Sequence, residues 1–170
     1  MLDLKEAKPT DHFWHHCFQA YAHDIEEHAK DMTNAYGKKC KLVDRLQTLE
    51  DKEFCVYVIG PMSQKPFLNI AEFYTVKQML EKLDIKVVLP HDVVDKNTPW
   101  LDAVTQSLQV MNECTLVCSL RDDAGVSESM GSSIEHIACY GADIMCIPYD
   151  KMLEFIAYCV NKAADEVDYM

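Results

Sequence analysis

The residues most able to do chemistry lie in one stretch, Arg121-Asp122-Asp123-Ala124-Gly125-Val126-Ser127-Glu128-Ser129-Met130-Gly131-Ser132-Ser133-Ile134-Glu135. Hydroxyls and glycine crowd the start of a predicted helix, where unsatisfied N–H groups and the helix dipole favour an anion. Ser129, Gly131 and Ser132 are therefore candidate ligand-binding residues. Glu135 follows within the first two turns, near enough to face the same ligand. A carboxylate there can attack an electrophilic carbon or stabilise a developing cation. Ser132-Ser133-Ile134-Glu135 also spells a capping box, in which Ser132 caps the helix and Glu135 reaches back. Local sequence leaves both roles open.

A second chemical stretch is Gly60-Pro61-Met62-Ser63-Gln64-Lys65-Pro66-Phe67-Leu68-Asn69. Gly60 lets backbone approach a ligand, while Ser63, Lys65 and Asn69 offer a hydroxyl, a cation and an amide. The plainer reading is a strand-to-helix turn with Asn69 as the helix cap. Neither G-x-x-x-x-G-K-[ST] nor G-x-G-x-x-G occurs, which argues against triphosphates and dinucleotide cofactors of the usual kinds. No cofactor is expected. His91 and Asp92 close another apolar run and face the same side. His12 and His16 lie one helical turn apart, but no H-E-x-x-H or His/Cys quartet completes a site, so no metal is expected. Asp24 and His28 are spaced to pair at i, i+4 instead.

These residues hang on a regular alternation of elements. Apolar runs at 54–59, 86–89, 115–120 and 143–147 alternate with helical spacing over 69–83, 100–112, 132–140 and 151–164. Strands that are apolar throughout are buried on both faces, as parallel strands flanked by crossover helices are. The fold class is thus α/β: a Rossmann-like, doubly wound parallel sheet of four to five strands. In such sheets ligands bind at the carboxyl ends of the strands, which directs attention to the loops beginning at Gly60, Pro90, Leu120 and Pro148. Residues 1–50 have a different texture, with a helix over 11–33 ended by Gly37 and a weaker one over 38–50, and form an N-terminal helical arm to the 51–170 domain.

Composition limits the partners. The 170 residues carry 16 Lys and Arg against 28 Asp and Glu, a net charge of -12, which repels a phosphate backbone and excludes long nucleic acid as a natural partner. A small molecule remains. Eight cysteines scattered without a C-x-x-C motif read as buried, reduced thiols. With neither a leader-like start nor an apolar run long enough for a membrane span, no membrane partner is expected and the predicted location is cytoplasmic.

Laid end to end, the motifs resemble the nucleoside 2-deoxyribosyltransferase-like superfamily. The closest likeness is to a branch whose first loop reads G-P-M-[ST]-x-x-P-x-x-N-x-x-x-F, matched by Gly60, Pro61, Met62, Ser63, Pro66, Asn69 and Phe73. A Trp-x-Asp signature is present as Trp100 and Asp102, and S-x-G-x-x-x-E as Ser129, Gly131 and Glu135. The resemblance spans about residues 54 to 148. It implies N-glycosidic chemistry related to that of 2'-deoxynucleoside 5'-phosphate N-hydrolases. The carboxylate matching Glu135 attacks the anomeric carbon of a nucleoside or nucleoside 5'-monophosphate, and water or a second base resolves the glycosyl-enzyme. Ser129 and Gly131, with Ser63 of the first loop, would cradle the phosphate or sugar. Relatives complete each pocket with a neighbouring subunit, so the resemblance also implies a homo-oligomer, whose interface the arm would extend unless it covers a sheet face. Two positions depart: where relatives carry an Asp that positions the sugar and protonates the leaving base, this chain has Ser107, and where an Asp opens the next strand it has Thr115. A serine hydroxyl can bond a sugar but supplies no proton near neutral pH. Asp102, Asp92, Asp122 or Asp123 then takes that role, or the protein binds nucleotide without turning it over.

Overall fold

The computed structural model describes residues 11–29, 32, 42–49, 52–63, 65–121, 130–142 and 144–167. Gly37, Cys40, Asp122, Asp123 and Ser129 lie outside these residues. The elements run α1 (Asp11–Ala29), α2 (Leu42–Thr48), β1 (Cys55–Ile59), a 3-10 turn (Pro66–Asn69), α3 (Ile70–Glu81), β2 (Lys86–Val88), α4 (Pro90–Val93), α5 (Trp100–Met111), β3 (Leu116–Ser119), α6 (Met130–Ala142), β4 (Cys146–Pro148) and α7 (Tyr149–Val167).

The four strands form one all-parallel sheet in the order β2-β1-β3-β4. Along β1, side chains alternate between the two faces, as the pleat requires. Val56 and Val58 join a core with Phe73, Val76 and Leu80 of α3 and Met152, Phe155 and Ile156 of α7. Cys55, Tyr57 and Ile59 join the opposite core, with Met111 of α5 and Cys139 of α6. Helices therefore cover both faces, and the doubly wound α/β fold expected from the uninterrupted apolar strands is present.

Helix α1 packs into the first of these cores through Trp14, Cys17, Phe18 and Ile25, each at most 1% exposed. Trp14 stacks on Phe54 and donates its Nε1–H to the Leu83 carbonyl (2.9 Å). The predicted Asp24–His28 pairing gives way to contacts with α7: Asp24 pairs with Lys162 (3.2 Å), and the His28 ring stacks on Tyr158 (3.7 Å). A neighbouring helix offers both residues larger surfaces than they offer each other. At the amino end of the sheet, Arg45 of α2 donates through Nη2 to the carbonyls of Cys114 (2.6 Å) and Asn112 (2.8 Å).

Two boundaries differ from the sequence pattern. The last strand covers Cys146–Pro148 and runs straight into α7 at Tyr149, later than the apolar run at 143–147 implies. Pro90 opens the short helix α4, since its fixed φ suits a first helical position and its missing N–H leaves nothing unsatisfied there. The seven described cysteines are all buried thiols. Among the described residues no helix is long and apolar enough to cross a membrane.

Candidate functional site

With strand order β2-β1-β3-β4, the chain leaves β1 toward β2 on one side and returns past it to β3 on the other. The winding reverses between β1 and β3, and such a point opens a crevice at the carboxyl ends of those strands. A cleft of about 530 Å³ lies there, lined by Gly60, Met62 and Ser63 after β1, by His91 after β2, and by Gly131, Ser132 and Glu135 of α6. Its other wall comes from α5 and the loop before it, including Asp95, Lys96, Trp100 and Ser107.

Glu135 reaches the cleft because of its place on α6. Ser132, Glu135, His136 and Cys139 form one buried stripe at helical spacing, and Glu135 is the member nearest the carboxyl end of the sheet that bears a charge-forming group. Its side chain is 6% exposed, and Oε2 has no hydrogen-bond partner among the described residues. Burial pushes the carboxyl up to about 8, so at neutral pH it holds its proton. Because α6 begins at Met130, Ser132 lies inside the first turn and not at the cap. The capping-box alternative for Ser132 and Glu135 therefore has no helix end to serve.

Tyr57, wholly buried on β1, faces the same spot. Burial first and then the proximity of Glu135 raise its phenol, while the Ser107 side chain opposes the shift. At standard geometry Tyr57 Oη has no hydrogen bond among the described residues. Ser107 is 4% exposed and lines the cleft, so this serine falls inside the site. Sequence reading passed over Tyr57 because a tyrosine in an apolar strand looks like core, which Tyr57 also is.

The other predicted residues divide. Gly60, Met62, Ser63, His91, Gly131 and Ser132 line the cleft. Pro61 and Asn69 are buried behind it, where Asn69 Nδ2 donates to the Pro61 carbonyl (2.9 Å) and so holds the first loop in shape. Asn69 occupies the cap position of α3, yet its side chain caps nothing. Asp92 is turned away: its Oδ2 accepts the Leu89 N–H (3.1 Å) and pairs with Lys77 (3.2 Å). Asp102 is exposed and off the cleft. Among the described residues the second carboxylate lining the cleft is instead Asp95, whose Oδ1 accepts the Asn97 N–H (2.8 Å). No sequence signal singled it out, since Asp95-Lys96-Asn97-Thr98-Pro99 reads as an ordinary turn.

The wall beside Ser63 has unusual backbone. Phe67, Leu68 and Asn69 follow one another with φ of 50°, 55° and 60°, a left-handed turn made without glycine. Each such residue costs about 1–2 kcal/mol, so the surroundings must hold the turn in place. Asn69 anchors one end as described. His91 anchors the middle, its Nε2 lying 2.8 Å from the Leu68 carbonyl. At the end of β3, Arg121 makes a two-point ion pair with Glu72 of α3 (2.5 and 2.9 Å), tying β3 to that helix.

No group of three or more metal-ligating side chains is gathered among the described residues. The arrangement provides a buried, proton-holding carboxyl at the floor of a cleft, Gly131 and Ser132 of α6 beside it, and a partly apolar wall at Trp100 and Leu68. No family model and no curated protein matches the chain.

Proposed function

We propose that the protein is an N-glycosidase that cleaves, or transfers the base of, a nucleoside or nucleoside 5'-monophosphate. The observation that carries this reading is Glu135: a buried carboxyl, its Oε2 without a hydrogen-bond partner among the described residues, on the floor of a cleft at the reversal point of the sheet. In the reaction one Glu135 oxygen bonds to the anomeric carbon as the bond from that carbon to the base nitrogen breaks. Glu135 reacts in its ionised form, its proton having passed to water, and the base leaves with the bonding pair and takes a proton from water; Asp95 is the second carboxylate lining the cleft. Water or a second base then displaces Glu135. Gly131 and Ser132 offer amides and a hydroxyl at the start of α6 to a sugar or phosphate, and Trp100 with Leu68 offers apolar surface to a planar base. The motif resemblance to the nucleoside 2-deoxyribosyltransferase-like superfamily supports the same chemistry.

Ser107 favours a second reading, a nucleotide-binding protein of this fold that senses or sequesters its ligand without turnover. The hydroxyl lies inside the site, where a proton donor would be needed. Incubation with a panel of nucleosides and nucleoside 5'-monophosphates separates the two. The enzyme releases free base, and Glu135→Gln lowers release by at least about a thousandfold while ligand still raises the melting temperature. A stabilising ligand recovered intact from the unaltered protein selects the binding module.

A further inference from the structure

We propose that His91 is a positioning residue: by donating its Nε2–H to the Leu68 carbonyl it holds the left-handed turn Phe67–Asn69 as a preformed wall of the cleft. The geometry is specific. A carbonyl only accepts, so the 2.8 Å contact places the imidazole proton on Nε2 and leaves Nδ1 bare in the neutral ring. Nδ1 is buried with no partner among the described residues, so the ring gains nothing from the reversed tautomer. The Phe73 and His91 rings meet in a T-shaped contact, centroids 4.8 Å apart, which restrains the imidazole plane. Pro90, just before His91, starts α4, so His91 sits in the first turn of that helix and lines the cleft.

What the bond restrains is a segment that would not keep this shape alone. Three non-glycine residues in the left-handed region relax to right-handed or extended backbone when released. Backbone N–H bonds from Lys65 to Met62 (3.2 Å) and from Leu68 to Lys65 (3.1 Å) shape the approach to the turn, and Asn69 ties its exit to Pro61. Only His91 among the described residues reaches the turn from another part of the chain, joining the loop after β1 to the loop after β2. Leu68 lines the cleft, whereas Phe67 at the apex is 88% exposed. Losing the turn would therefore move cleft wall and leave Glu135 in place.

The turn can be tested without any ligand, while its effect on the cleft rests on the function proposed above. Two variants separate the parts of the ring: His91→Phe keeps a ring against Phe73 and cannot donate, and His91→Gln keeps an N–H donor. Backbone NMR shifts of residues 67–69 report left-handed geometry, and imidazole nitrogen shifts report the tautomer. We expect the Nε2–H tautomer in the unaltered protein, and left-handed shifts there and in His91→Gln but not in His91→Phe. In base-release assays His91→Phe should raise KM about fivefold, the loss of one hydrogen bond, with kcat within about threefold. His91→Gln should restore KM. A further check is Leu68→Gly, where positive φ costs little: in that background His91→Phe should have a smaller effect on KM. Left-handed shifts that persist in His91→Phe, a proton on Nδ1, or no recovery in His91→Gln would each overturn the proposal. If no nucleoside or nucleotide is cleaved, the glycosidase reading fails while the NMR comparison still decides the role of His91.

Discussion

Glu135 places an ionisable group where solvent scarcely reaches, and that fixes how the site should respond to pH. A nucleophile must be ionised, and burial keeps this carboxyl protonated up to about 8. Under the glycosidase reading kcat/KM for base release should rise toward about pH 8 and then level. A profile that falls over that range would make Glu135 the proton donor instead. Stability should move the opposite way. In an unfolded chain the carboxyl titrates near about 4.3, so the folded state binds the proton more tightly, and the stability this confers is complete below that value and declines as pH rises toward about 8. Glu135→Gln cannot ionise. Its melting temperature should match that of the unaltered protein near about pH 5 and exceed it near about pH 9; an equal difference at both would contradict a buried, proton-holding Glu135. The helix start around Glu135 was legible because hydroxyls, glycine and an acid at that spacing have few other uses. Tyr57 and Asp95 were not, since their roles depend on which face of β1 and which loop meets α6 in space, and residue type alone carries neither.

Among the elements, the turn after β1 carries the greatest constraint. A Cβ on Gly60 would lie 2.5 Å from Leu120 Cδ1 and 2.8 Å from Cγ, where the ends of β1 and β3 come together under the cleft. Gly60→Ala should therefore destabilise the protein by about 1–3 kcal/mol, measured by urea unfolding, because the Leu120 side chain must shift within packed surroundings. No change in midpoint would mean that this side chain moves aside freely and that the crevice is loosely built. Alternation of apolar strands with helical spacing made the four strands and the helices of the 51–170 region readable to within a few residues. The left-handed turn was not readable: Phe67 and Leu68 have no preference for positive φ, and Asn69 alone among the three tolerates it well. Nor was α4, a helix of four residues too short to show a period.

At the scale of the whole molecule, α1 is part of the core that supports the sheet. Trp14 is 1% exposed, packed on Phe54 and bonded to the Leu83 carbonyl. Trp14→Ala should cost about 3–5 kcal/mol, read as a lowered unfolding midpoint. A cost below about 0.5 kcal/mol would make α1 a detachable appendage. Its amphipathic pattern showed that it must pack, but a pattern names no partner, and the choice of a sheet face became visible only with the fold. The chain carries a net charge of -12 and the cleft floor is itself a carboxyl, so under the glycosidase reading a phosphate-bearing substrate would depend on Lys96, the cation lining the cleft. The most direct test of the central claim is to quench the protein in acid during incubation with the nucleotide that gives the most base release, and to map its peptides by mass. The account predicts a sugar or sugar phosphate attached to the peptide that contains Glu135, absent in Glu135→Gln. Base released while that peptide stays unmodified at every quench time would contradict it.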